Sequence, residues 1–168
     1  MRLNESLKSI DEKEYGIEYK NHILEQYKLY LEMADKISER RQNANSFFLS
    51  INTALLALIG YAEIGSNEVY PFPLFILIGL CGLVLCYFWY RLVRSYKDLN
   101  SGKFLVVHEI EKMLPIKPYN AEWKSLGEGK DSDLYLPFTH IEIIVPWIFF
   151  IIYALILVWN VCCFRTIL

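Results

Sequence analysis

Ser46, Ser50, Thr53, Ala57 and Gly60 recur at spacings of 4, 3, 4 and 3 along an otherwise apolar stretch. Those spacings place five small or hydroxylated residues on one face of a helix. Asn45 and Asn52 lie beside them, seven residues apart, and Arg40 and Arg41 stand immediately upstream. This set is suited to packing or to lining water, not to catalysis. Small residues let helix backbones approach, and Asn or Ser bridges helices by hydrogen bonds. A hydroxyl-bearing face can equally line a water-filled path, with arginines at its mouth favouring anions. One such helix cannot enclose a pore, so the second reading requires a ring of copies. Both readings stay open at this point.

The remaining candidates sit at the edges of apolar stretches. Arg91 and Arg94 follow the aromatic belt Tyr87-Phe88-Trp89-Tyr90. Glu142 precedes the last apolar stretch, where a carboxylate suits a helix N-terminus or an ion pair with a juxtamembrane arginine. No ionisable acid or base of the Asp, Glu, Lys, Arg or His type lies inside these stretches. That pattern argues against a proton- or ion-coupled transporter, which needs such groups in series. His22, His108 and His140 are isolated from one another. Phosphate-binding, nucleophile-elbow and zinc-protease motifs are absent, and Cys81, Cys86, Cys162 and Cys163 lack zinc-ligand spacing. The expectation is a protein with no catalytic residues, no metal and no cofactor.

The elements that must position these residues are long. Three runs contain no Asp, Glu, Lys or Arg: 42–62, 69–90 and 143–164, of 21, 22 and 22 residues. At about 1.5 Å per residue each crosses a hydrocarbon core of about 30 Å. The chain has 168 residues, 54% of them hydrophobic, and a formal charge of −2. These values exclude a disordered chain and a broad basic face for nucleic acid. The expected fold is all-α and integral to a membrane, with three transmembrane helices. The first apolar run lies far behind a charged segment, unlike a secretory signal peptide. Sixteen of the 17 Lys and Arg residues fall in 1–41 and 91–142, and the last is Arg165. The positive-inside rule then puts the N-terminus in the cytoplasm and the C-terminus outside.

The segments divide as follows. Residues 1–41 form a cytoplasmic N-terminal segment and amphipathic helix, 63–68 an external turn, 91–142 a cytoplasmic helix and Pro/Gly-rich loop, and 165–168 an external tail. Tyr19, Ile23, Tyr27, Tyr30, Ala34 and Ile37 mark one helical face, and no Pro or Gly interrupts 17–59. One helix of 40 residues or more is expected there. The second span should continue as far as Pro115, so that the first two spans extend into a cytoplasmic helical stalk. Residues 115–141 read as irregular, docked through Tyr119, Trp123, Tyr135 and Phe138. The third span starts near His140 with Pro146 in its first turn.

The block from Tyr27-Lys28-Leu29-Tyr30 through Met33-Ala34-Asp35-Lys36-Ile37-Ser38-Glu39-Arg40-Arg41-Gln42-Asn43-Ala44-Asn45-Ser46, with Asn52-Thr53-Ala54-Leu55 after it, resembles the RipA family of small octameric bacterial membrane proteins. Glu122-Trp123, Leu126-Gly127, Pro137-Phe138, Glu142 and Pro146 extend the resemblance over most of 20–160. It implies a bacterial inner-membrane homo-octamer linked to stress adaptation. Octameric membrane pores also serve a CRISPR system that targets RNA, but the Arg/His motif of that effector is missing here. Two functions compete. One is a pore or conductance in stress adaptation or defence. The other is a non-conducting scaffold that recruits a soluble partner through 91–141. Both expect the lipid bilayer and further copies of the chain as partners, and neither expects nucleic acid.

Overall fold

The computed structural model describes residues 6–64, 72–135 and 138–167. Most of the expected external turn 63–68, the start of the second span at 69–71, Pro137, the end of the tail and the side chain of Cys163 lie outside the described residues. Among those described, every regular element is helical. A single turn, α1 (Glu12–Tyr15), precedes α2 (Tyr19–Ile64, 46 residues) and α3 (Phe72–Glu111, 40 residues). Then come α4 (Pro118–Ser125), a short 3-10 turn (Gly127–Gly129) and α5 (Phe138–Ile167). The helices α2, α3 and α5 are each long and apolar enough to span a membrane.

Sequence explains the limits of these helices. Nothing between 17 and 59 breaks a helix, so α2 runs without interruption. Pro115 disfavours helical geometry in the residue before it, and α3 has ended at Glu111. Residues 115–141 are less irregular than their composition implies. Pro118, at the first turn of α4, lacks only an N–H that would be unpaired there. α5 starts at Phe138, so Pro146 lies inside the helix and not in its first turn. It leaves one carbonyl without an intrahelical donor, a defect that membrane helices tolerate when neighbours cover it. Pro146 is fully buried.

The chain divides into two compact units. The first comprises Met1–Arg40 and Tyr96–Pro137. Its core is Tyr27, Val107 and Ile110, flanked by Ile23, Tyr30, Met113, Leu114 and Tyr119. The aromatic and aliphatic positions of the α2 stripe thus face α3, and Tyr119 brings α4 to the same core. The Lys103 ammonium lies 4.4 Å from the centre of the Tyr30 ring, a cation–π contact that offsets part of the cost of burying it.

The second unit comprises Arg41–Ser95 and Phe138–Leu168. Ile59, Phe75, Cys86 and Tyr153 form its core, one or more from each long helix. Trp89 stacks on Phe48, with ring centroids 5.9 Å apart, and touches Phe149. Two glycines of α3 allow a close approach to α5. A Cβ on Gly79 would lie 2.6 Å from Leu157, and one on Gly82 would lie 2.6 Å from the Tyr153 ring. Small residues at such contacts bring backbones together where lipid supplies no hydrophobic drive.

Candidate functional site

Helix geometry separates the polar residues of α2 into two faces. Successive residues turn by about 100°, so Asn45, Asn52 and Ile59, seven apart, share one side. Ser46, Ser50, Thr53 and Ala57 lie about 100° around from them. Asn52 is fully buried in the second unit. Its amide donates to the Phe48 carbonyl at 2.8 Å, and its side-chain oxygen accepts from the Cys86 thiol at 3.6 Å. The Tyr153 hydroxyl donates to the Asn52 backbone carbonyl at 3.2 Å. Asn45 accepts from the Trp89 indole N–H at 2.8 Å. Asn45 therefore ties α2 to α3, and Asn52 ties α2 to α3 through its side chain and to α5 through its backbone carbonyl.

The other face makes no such bonds. Ser46, Ser50, Thr53 and Ala57 are exposed, and Gly60 is half-buried with open space around it. Their hydroxyls have no side-chain hydrogen bond among the described residues. The exposed faces of the neighbouring helices differ sharply. α3 presents Leu77, Leu80, Val84 and Phe88, and α5 presents Ile144, Ile148, Ile151, Leu155 and Val158. Those surfaces suit acyl chains. The Ser/Thr/Ala face of α2 is the small, hydroxylated exception.

Arg40 and Arg41 are also separated. Arg40 is exposed and makes no ion pair among the described residues. Arg41 turns inward, and its Nε lies 3.5 Å from Glu142 Oε2, with the side chains 17% and 11% exposed. Neither atom makes a hydrogen bond, so the pair is held by charge without directional bonding. Glu142 sits one turn inside α5, so its carboxylate answers Arg41 rather than capping the helix start. Arg91 and Arg94 are exposed, and Arg94 donates to the Tyr90 hydroxyl at 3.3 Å.

The most elaborate polar centre was not apparent from sequence. Glu111, at the end of α3, is fully buried in the first unit. Its Oε1 accepts from the Tyr27 hydroxyl at 3.0 Å and from the Tyr119 N–H at 2.9 Å, and its Oε2 accepts from the Asn120 N–H at 3.0 Å. The carboxylate thus caps α4 from outside that helix. Burial, then the Glu111 carboxylate, pushes the Tyr27 phenol well above its ordinary range, so it remains the donor. The only sequence signal was an acid, Glu111, directly after the apolar Val107 and Ile110. A separate cavity of about 130 Å³ in this unit is lined by Tyr15, Tyr19, His22 and Gln26 among others. No group of three or more His, Cys, Asp or Glu side chains among the described residues is placed to hold a metal ion.

The model of the octameric membrane protein family (8xMP) matches residues 24–162. That span takes in both units, and the chain belongs to this family. Comparison with curated proteins and with solved structures gave no match.

Proposed function

We propose that this member of the octameric membrane family forms a homo-oligomeric conductance, with the Ser46/Ser50/Thr53/Ala57 face of α2 turned to its central axis. The observation that carries the reading is the contrast among the three long helices. Two present large apolar side chains outward, while α2, which also exposes Phe47, Leu49 and Leu58, presents one face of hydroxyls and a methyl with no partner in the subunit. A family described as octameric supplies the ring. Helices about 9 Å apart in a ring of eight stand about 12 Å from the axis. Subtracting about 5 Å for each helix leaves an opening roughly 7 Å in radius, wide enough for hydrated ions. Arg40 supplies a basic collar next to that path in sequence.

The distribution of Lys and Arg supports a cytoplasmic N-terminus and an external C-terminus. The resemblance of 27–55 to RipA members supports a bacterial inner membrane and a role in stress adaptation or defence. No enzymatic step is part of this reading. Liposome flux tests it. Wild-type protein should pass chloride, and the double variant Ser50→Leu/Thr53→Leu should lower the rate more than tenfold. Ala54→Leu, exposed to one side of the stripe, should leave it unchanged. Wild-type protein that stays silent under voltage and membrane tension contradicts the proposal.

A second reading has its own observation. Ile116, Trp123 and Leu134 are exposed in the segment around α4, which favours a scaffold that recruits a soluble partner. Under that reading Ile116→Asp with Leu134→Asp abolishes partner recovery from detergent extracts, and the Ser50/Thr53 variants do not.

A further inference from the structure

The second unit also carries guanidinium groups that the chain leaves without counter-charge. Arg91 follows directly on the charge-free run 69–90, and Arg94 lies one turn further along α3. Both are exposed, and neither makes an ion pair among the described residues. The acid at the start of α5, Glu142, faces Arg41. Asp98, one turn beyond Arg94, makes no ion pair with it.

An aromatic bridge joins this basic pair to α5. Arg94 donates to the Tyr90 hydroxyl, and the Tyr90 ring meets the Trp147 ring edge-on, with centroids 5.5 Å apart. Trp147 in turn meets Phe150 at 5.5 Å. Arg94 and Trp147 therefore both contact one tyrosine. Trp147 is 48% exposed, and its indole N–H has no acceptor among the described residues. Two guanidinium groups without counter-charge and one indole N–H without an acceptor thus lie on two helices at the ends of the apolar stretches. Aromatic rings favour the headgroup layer, and guanidinium groups bind phosphate oxygens through paired N–H bonds. Away from this cluster, Ile144, Ile148, Ile151 and Leu155 form an exposed apolar strip on α5.

We infer that Arg91, Arg94 and Trp147 form a binding site for one anionic phospholipid, its phosphate held by the arginines and the indole N–H and an acyl chain laid along the α5 strip. Basic pockets between membrane helices select acidic headgroups in this way. Two arginines at the usual worth of a basic residue near an anionic surface give a preference of about 30-fold over a zwitterionic lipid. The inference does not depend on conduction.

Native mass spectrometry of the full-length oligomer tests it, in detergent holding equal phosphatidylglycerol and phosphatidylcholine. Wild-type protein should retain phosphatidylglycerol about 30-fold over phosphatidylcholine. R91Q/R94Q should bring the ratio close to one, and W147F, which keeps the ring contacts, should lower it severalfold. Equal retention by wild-type protein overturns the site, as does an undiminished preference in both variants. Displacement of the lipid by soluble glycerol phosphate also overturns it, because the site would then recognise a free phosphate ester.

Discussion

Gly82→Leu is expected to be the most damaging single substitution in the second unit. Even a Cβ at this position would lie 2.6 Å from three atoms of the Tyr153 ring. That ring is fully buried, and its hydroxyl bonds the Asn52 carbonyl. It cannot retreat without releasing α2. Replacing a helix glycine by alanine gains about 1 kcal/mol in propensity, whereas overpacking costs about 1–3 kcal/mol and more for a larger side chain. Gly82→Ala therefore nets a loss, and Gly82→Leu should lower the Tm of the purified oligomer by roughly 10 °C or prevent its recovery. Gly102, with open space around it, provides the control: Gly102→Ala should raise the Tm. A Gly82→Leu protein with wild-type elution and Tm would show that α3 and α5 do not meet this closely.

Glu111→Ala should be the corresponding loss in the first unit. Three donors, the Tyr27 hydroxyl and the Tyr119 and Asn120 amides, lose their acceptor together. An abandoned buried donor costs about 1–3 kcal/mol, and the half-buried amides can recover water, so about 3 kcal/mol is expected, with α4 loosened from the core. Trypsin should then cut rapidly at Lys124 and Lys130. Glu111→Gln should fall between, because its amide nitrogen can meet the Asn120 N–H but cannot accept from it. Tyr27→Phe removes one donor and about 1 kcal/mol. Alkaline titration gives a second readout with a definite sign. The folded Tyr27 phenol holds its proton above the unfolded pKa of about 10. Its contribution is therefore full below that pH and is lost as pH rises through the folded value. Tyr27→Phe should flatten that loss.

The membrane spans were legible because charge is excluded from hydrocarbon, and three runs without Asp, Glu, Lys or Arg record that exclusion directly. The face carrying Tyr27, Ala34 and Ile37 was legible for a similar reason, since apolar periodicity survives without knowing the partner. Asn45 and Asn52 show where this stops. Their sevenfold spacing put them beside the Ser/Thr stripe, but their partners Trp89, Cys86 and Tyr153 lie 34 to 101 residues away. Nothing local announces those pairings. Glu111 is harder still, because its donors come from α2 and from amides eight and nine residues later. α4 is too short for a periodic signal, and its proline reads equally well as a loop. Gly82 is a glycine among many in sequence, and only the ring of Tyr153 gives it meaning.

The proposed conductance requires that one face of α2 meets water inside the assembly while the outward faces of α3 and α5 meet lipid. Thiol labelling in intact membrane vesicles tests it most directly. Single cysteines are placed at Ser46, Ser50 and Thr53, and for comparison at Ala54 and Leu58, with Cys81, Cys162 and Cys163 replaced and the buried Cys86 kept. A charged, membrane-impermeant methanethiosulfonate reagent should modify Ser46→Cys, Ser50→Cys and Thr53→Cys rapidly and leave Ala54→Cys and Leu58→Cys untouched. If Ser50→Cys and Thr53→Cys are as unreactive as Leu58→Cys, the face is dry and the conductance account is wrong.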